Sequence, residues 1–330
     1  MIKRIPMPIP FGWYFVGYSD ELKNGDVRSV HYFGEDLVLF RGENGVAGLL
    51  EAYCPHLGAH LGDGRVDGGS LRCPFHEWAF NPEGACTDVP YAKRIPPRAA
   101  SAGCMRSYPV SERNQVIWAW YHPNNEAPMF DVVEYEEMSS PDWSAQQRFE
   151  WKFASHPQEI SENAVDVAHF KYIHKMEAVP EGDTTVNGHQ RITIADGQRK
   201  FVHPQTGEES IVRSRVESLQ NGAGQKLARF SGVVDLVAMT LVTPIESDLC
   251  EVRMAFSHKR MAEDSPMFQA VQATIALIRG QTGIEGDIPI WNRKIYRKNP
   301  ILCDGDGQIM RYRKYFSQFY VQDYEAEAAR

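Results

Sequence analysis

Residues 54–76 read CPHLGAHLGDGRVDGGSLRCPFH. Two short motifs open and close this stretch, Cys54-Pro55-His56 and Cys73-Pro74-Phe75-His76. Each supplies one thiol and one imidazole. Each lies among glycines and prolines, which build turns that can aim both side chains at one place. Structural zinc is the simplest rival. Its ligand pairs usually leave about two to four residues between partners and group Cys with Cys and His with His. Cys54 and His56 enclose only Pro55, and both pairs mix the two types. The pattern instead describes two irons, one held by two thiolates and the other by two imidazoles.

That ligand set, Cys54, His56, Cys73 and His76, belongs to a Rieske [2Fe–2S] cluster. Neutral imidazoles in place of two thiolates make the cluster less negative. Its potential therefore rises into a band of roughly −150 to +300 mV. His60 reads as a surface or supporting residue, and Cys86 as a packed thiol near the cluster rather than a ligand.

Short strands surround these motifs. Asp36 to Arg41 and Val46 to Tyr53 flank a Glu43-Asn44-Gly45 turn, a hairpin signal. The run Val116 to Tyr121 (VIWAWY) is strand-like in composition. Cys54 to Pro97 reads as a long functional loop region. An acidic, proline-bearing linker from His122 to Trp143 marks a boundary. We expect one domain over 1–145 and a second over 146–330. In the second, a helix is expected from Pro157 to His174, with Ser155 near its N-cap. Hairpin turns follow at Asp196-Gly197 and Asn221-Gly222. Further helices run from Pro266 to Arg279 and from near Asp287. The fold class is α+β, a small all-β domain followed by an α+β domain.

Composition excludes several classes. The 330 residues are 43% hydrophobic and 24% charged, ordinary for a globular protein. A net charge of −8 argues against phosphate-backbone binding. No stretch approaches the roughly 20 apolar residues of a membrane span. The opening MIKRIPMPIPFGWYF is interrupted by Pro6, Pro8 and Pro10 and lacks the features of a signal peptide. A reducing, cytoplasmic setting is expected, in which cysteines serve as ligands or buried thiols.

A second constellation is Asn163, Asp166, His169 and His174. Asp166 and His169 share a helix face. His169 and His174 lie about 140° apart on an ideal helix. They meet at one metal only if the helix ends or distorts near Tyr172 and Ile173. Two histidines plus a carboxylate, with open positions, form the facial triad of non-haem Fe(II) oxygenases. Glu285, Asp287, Asp304 and Asp306 are the candidates for the carboxylate, and spacing leaves the choice open.

At these residues the chain resembles the terminal oxygenase component of the Rieske non-haem iron oxygenases. Val89 to Pro97 (VPYAKRIPP), Asp166 to His174 (DVAHFKYIH), Asp287 to Pro300 (DIPIWNRKIYRKNP) and Gln318-Phe319-Tyr320 are similar to 3-ketosteroid 9α-hydroxylases and related sterol-acting enzymes. The resemblance implies a Rieske domain followed by a helix-grip catalytic domain. It implies a mononuclear Fe(II) at His169, His174 and Asp287. It also implies a homotrimer in which Asp166 is the electron-transfer bridge between the cluster of one subunit and the iron of the next. A separate NAD(P)H-dependent flavin and iron–sulfur reductase, with or without a ferredoxin, is implied too. The chain itself carries no Gly-x-Gly-x-x-Gly fingerprint.

The expected activity is O2-dependent hydroxylation of a steroid-like substrate. Val233 to Val242 and Met267 to Ile278 are apolar and lack basic residues, so an apolar small molecule is expected between them. Two alternatives differ in class. A Rieske oxygenase of aromatic acids, an O-demethylase or ring dihydroxylase, would share the metal sites. A non-enzymatic Rieske electron carrier would leave the second half of the chain without a task.

Overall fold

A computed structural model describes residues 4–101, 103–175, 182–202, 207–232 and 234–321. Val233 lies outside the described residues. The chain divides into two compact units, Phe11–Glu134 and a second made of Met1–Pro10 with Tyr135–Arg330.

The first unit is built from three small antiparallel sheets. Val116–Tyr121 is the middle strand of one, between Gly12–Tyr18 and Val110–Arg113, and all six of its residues are buried. Its β-branched and aromatic side chains fill both faces. Trp118 and Trp120 hand their indole N–H groups to the carbonyls of Arg113 and Glu126. The hairpin of Glu35–Arg41 with Ala47–Glu51 forms as expected. Gly45 turns it at φ +83°, a backbone state open to glycine without strain. Cys54 to Pro97 is more structured than its composition suggests. Arg65–Asp67, Ser70–Arg72, Ala79–Phe80 and Cys86–Asp88 form a four-stranded sheet there. Strands this short leave no periodic trace in the sequence.

The second unit centres on a seven-stranded antiparallel sheet. From one edge to the other its strands are Gln147–Phe153, Leu249–His258, Leu236–Glu246, Gln225–Ser231, Glu209–Asn221, Gln190–Val202 and Gly182–Asn187. A turn forms at Asn221-Gly222, with Gly222 at φ +69°. The turn expected at Asp196-Gly197 does not form. The strand Gln190–Val202 runs straight through, and Gly197 pairs with Ser214. Long-range pairing along the whole of Glu209–Asn221 outweighs a local turn signal.

Helices cover one side of this sheet. Pro266–Arg279 starts where Ser265 Oγ accepts the Phe268 N–H at 3.2 Å, and it buries Val271 and Ile275 beside Leu236, Ala238 and Phe256. The helix expected over Pro157 to His174 is two helices, Pro157–Glu162 and Val167–Tyr172. Asp166 stands between them in extended backbone, and its carboxylate caps the second by accepting the His169 N–H at 3.4 Å. The first is capped by His156 rather than Ser155. Its Nδ1 accepts the Gln158 N–H at 3.1 Å, and its Nε2 meets the Pro8 carbonyl at 3.0 Å.

All six residues of Pro157–Glu162 are buried, including two carboxylates. Glu162 receives a two-pronged pair from Arg313, at 2.7 and 2.9 Å, on the helix Ile309–Phe316. Planar guanidinium and carboxylate match in such a fork. Removing the cation would leave the carboxylate buried and unpaired. Arg313→Leu should therefore destabilise the protein by about 3–5 kcal/mol in urea denaturation, and Glu162→Leu made together with Arg313→Leu should recover most of that loss.

Candidate metal centres

The two motifs of 54–76 fold as twin loops. In the first, Cys54 N–H donates to the Ala59 carbonyl and Gly58 N–H to the Cys54 carbonyl, both at 2.9 Å. In the second, Cys73 N–H donates to Trp78 at 2.9 Å and Glu77 N–H to Cys73 at 3.1 Å. Gly58 (φ +76°) and Glu77 (φ +60°) hold the same left-handed place in each loop. Arg65 pairs with the Glu77 carboxylate and steadies the one that is not glycine.

These loops bring Cys54 and Cys73 together, buried at 3% and 2% exposure, with their thiols in hydrogen-bond contact. Burial pushes the Cys54 thiol up to about 12, although the His56 and Leu57 backbone N–H groups face its sulfur and pull the other way. The His56 and His76 rings lie 4.7 Å apart. His56 stacks on Trp78 at 4.6 Å, and the Trp78 indole N–H is held by the Tyr91 hydroxyl at 2.8 Å. His76 Nδ1 is buried with no hydrogen-bond partner among the described residues. Two buried thiols in contact, beside a buried nitrogen lacking a partner among the described residues, suit a bound cationic centre. Among the described residues, the group of three donors that closes on a single point is a different one. Two thiols in contact and two imidazole rings facing each other match the donor set of a two-iron Rieske centre, two thiolates for one iron and two imidazoles for the other.

The converging group is His169, His174 and Asp287, whose ligand atoms all lie within 4.8 Å of one another. The helix Val167–Tyr172 ends as the sequence requires. Ile173 N–H closes on the His169 carbonyl at 2.7 Å, and the chain then swings His174 back beside His169. Their Nε2 atoms are 3.0 Å apart, and His174 Nε2 is 3.5 Å from Asp287 Oδ2. His169 Nδ1 contacts the backbone carbonyl of Asp166. A carbonyl only accepts, so the proton sits on Nδ1 and the Nε2 lone pair faces His174 and Asp287.

Asp287 lies midway along the helix Ile284–Trp291 and is 7% exposed. Burial pushes its carboxyl up to about 6, against the opposing pull of His169 and of a hydrogen bond from Asn163. Burial, aided by His169, pushes His174 down toward its neutral form. His174 Nδ1 is buried and unpartnered among the described residues. Two imidazoles beside a carboxylate that burial discourages from ionising are donors suited to a divalent cation.

The other candidates do not join them. Glu285 faces Gln281 at 3.4 Å, Asp304 is exposed, and Asp306 closes its own turn by accepting the Cys303 N–H at 2.7 Å. His60 caps a short turn by accepting the Gly62 N–H at 3.1 Å. Cys86 is a packed thiol whose Sγ–H meets the Asp88 carbonyl at 3.4 Å. The Asp166 carboxylate remains 39% exposed.

A cavity of about 510 Å³ opens onto His169, His174 and Asp287. Val234, Thr240, Leu277 and Ile278 line it, from the two segments expected to do so. Those two segments carry no basic group, but Arg215 and Lys226, outside them, line the cavity as well. They come from neighbouring strands of the sheet. Strand alternation was the missed signal: Lys226 falls in phase with Ala228 and Phe230, which pack into the apolar cluster.

An all-β unit with twin Cys/His loops, joined in one chain to an α+β unit with a two-histidine, one-carboxylate centre, defines a Rieske-type non-haem iron oxygenase. Comparison with known proteins agrees. Residues 12–109 match the Rieske [2Fe-2S] domain, and residues 119–320 match the 3-ketosteroid 9alpha-hydroxylase C-terminal domain. A 3-ketosteroid-9-alpha-monooxygenase oxygenase component of Rhodococcus rhodochrous is 32% identical over 94% of this chain and 82% of its own. A cholesterol 7-desaturase of Caenorhabditis elegans is 31% identical over 98% of this chain and 80% of its own. The fold is shared with a crystal structure of dicamba monooxygenase bound to 3,6 dichlorosalicylic acid, at a TM-score of 0.73 and 19% identity over 97% of this chain and 98% of that one.

The chain belongs to the Rieske oxygenases that carry a 3-ketosteroid 9α-hydroxylase C-terminal domain. It is the oxygenase component of such a system, an oxidoreductase whose cofactors are a Rieske [2Fe–2S] cluster and a mononuclear iron. Oxygenase components of this kind draw electrons from a separate reductase. Among the described residues no helix is long and apolar enough to cross a membrane.

Asn163 is not a converging donor, yet it holds the Asp287 carboxylate. Partners of this kind commonly change metal affinity by about 10–100-fold. Asn163→Ala should weaken iron retention by that factor in a chelator competition while leaving the visible absorption of the cluster unchanged.

Proposed function

We propose that this oxygenase component hydroxylates an apolar, steroid-like molecule held in the cavity over His169, His174 and Asp287. The observation that carries the proposal is the convergence of those three donors on a largely apolar cavity of about 510 Å³. That volume lies within the range of about 300–1,000 Å³ typical of small-molecule sites. The two sterol-acting relatives support the substrate class. Cys54, His56, Cys73 and His76 hold the cluster, and His169, His174 and Asp287 hold the mononuclear iron. When bound, these groups supply single electrons and the dioxygen chemistry at a C–H bond.

The chain's own residues then have defined tasks. The Asp166 carbonyl keeps the proton of His169 on Nδ1, so that Nε2 faces inward. Asn163 orients Asp287. Phe170, Val234 and Leu277 give the substrate apolar walls and limit water. The half-exposed Asp166 carboxylate is free to accept an N–H from a cluster histidine of a neighbouring subunit, which makes it the bridge in a homotrimer. Leu57 and Phe75 flank the cluster histidines at 65% and 61% exposure, the kind of apolar rim that a second subunit would cover. Electrons would come from an NAD(P)H-dependent flavin and iron–sulfur reductase, with or without a ferredoxin. All six cysteines are free, which suits a reducing cytoplasm.

Metal analysis tests the reading first. Purified anaerobically, the protein should hold iron beyond the content of the cluster. An iron content equal to the cluster alone would favour an electron carrier. His169→Ala should keep the cluster spectrum and lose the additional iron together with substrate oxidation. Asp166→Asn should keep both metals yet lower turnover by about 100-fold, read as reductase-coupled oxygen uptake with steroid substrates. Mass spectrometry of products separates a steroid hydroxylase from an enzyme of aromatic acids.

A further inference from the structure

We infer that Lys226 is a specificity-determining residue whose ammonium pairs with a carboxylate on the apolar substrate. The inference rests on the cavity being the substrate site of the oxygenase proposed above.

Lys226 stands in the middle of the seven-stranded sheet. It is in register with Gln220 on one side and with Thr240 on the other, and Thr240 pairs in turn with Met254. Lys226, Thr240 and Met254 therefore form one row across three strands, and all three line the cavity. The rest of the lining is dominated by aliphatic and aromatic side chains such as Ile160, Phe230 and Ile284.

Among the described residues this ammonium has no protein counter-charge. The cavity lining contains a single carboxylate, Asp287, and no carboxylate pairs with Lys226 among the described residues. The other basic group of the lining, Arg215, is already paired with Asp196 at 3.0 Å. Gln220, the cross-strand neighbour, is engaged elsewhere: its Nε2 donates to the Gly222 carbonyl and its Oε1 accepts from the Tyr312 hydroxyl, both at 3.1 Å. The charged group that acts on Lys226 is Arg191, which is of like sign, rather than Asp287. Lys226 and Asp287 line one cavity, yet Asp287 is not among the groups that act on the ammonium. Burial, with Arg191 adding to it, pushes the ammonium down to about 7.

A lysine lining an apolar cavity without a partner is costly to the folded protein. A ligand carboxylate satisfies it with a charge-assisted hydrogen bond and restores its full charge. A neutral ligand of the same shape does neither. Polar sites of this kind reject ligands that lack the matching group far more strongly than apolar walls reject a misfit.

The test is calorimetric titration of the holoenzyme with cholanic acid, palmitic acid and naphthoic acid, each compared with its own primary alcohol. At least one acid should bind about tenfold or more tightly than its alcohol. Lys226→Met should abolish that preference and leave the alcohol's affinity in place, and Lys226→Arg should preserve it. Equal binding of acids and alcohols to the native protein would overturn the inference, and so would no binding of any acid or a preference that survives in Lys226→Met. The comparison of acid with alcohol on the native protein does not depend on any variant folding. Iron content and cluster absorption of the same preparations report separately on the oxygenase reading, so the two fail in different ways.

Discussion

Both metal centres depend on one electrostatic constraint. Groups that must lose a proton to bind metal are buried where water cannot stabilise the charge. Cys54 is pushed up to about 12 and Asp287 to about 6, each chiefly by burial. Such donors ionise readily only beside a cation. The surrounding fold serves to hold them in that position. Twin loops with matched hydrogen bonds present Cys54 and Cys73, and the end of a short helix turns His174 back onto His169. Positions set by backbone hydrogen bonding hold their geometry against fluctuations of single side chains.

The sequence discloses these sites unevenly, for physical reasons. The cluster motif is legible because its proposed ligands are local: each Cys/His pair lies within one turn, and the residue types alone exclude most rivals. The need for a helix end between His169 and His174 also follows from helical geometry, and the structure meets it. The break before it does not follow. Asp166 reads equally well as an interior helix residue or as an N-cap, and its extended backbone separates Pro157–Glu162 from Val167–Tyr172. The carboxylate of the proposed iron site is illegible from spacing, since Asp287 reaches the histidines only through tertiary packing. Its burial then separates it from Asp304, which stays in solvent, and from Asp306, which caps a turn.

The cavity shows a further limit of sequence reading. Two apolar segments were expected to line it, and residues of both do. Yet the groups that give it chemical character, Lys226 and Arg215, come from strands with a polar overall composition. Period-two alternation assigns Lys226 to the face of Ala228 and Phe230, but it cannot say that this face looks onto an opening rather than into solid core. Only the packing of Pro266–Arg279 and Ile284–Trp291 over the sheet decides that. Turn signals fail for a related reason. Asp196-Gly197 is a sound local turn, overruled by a partner strand that pairs along its whole length.

Asp166 shows how one residue can meet separate demands without conflict. Its backbone carbonyl sets the tautomer of His169, which requires no charge on the side chain. Its carboxylate caps the helix through a long contact of 3.4 Å, and that contact uses one oxygen. The rest of the carboxylate is left 39% exposed. A residue needed only to orient His169 could carry almost any side chain, because a main-chain atom does that work. A residue needed only as a cap could be Ser, Thr, Asn or Asp. An acid also leaves a negative charge facing outward beside His169, which suits the bridging role proposed for it. The division of labour between its main chain and its side chain leaves the carboxylate available for the role proposed for it.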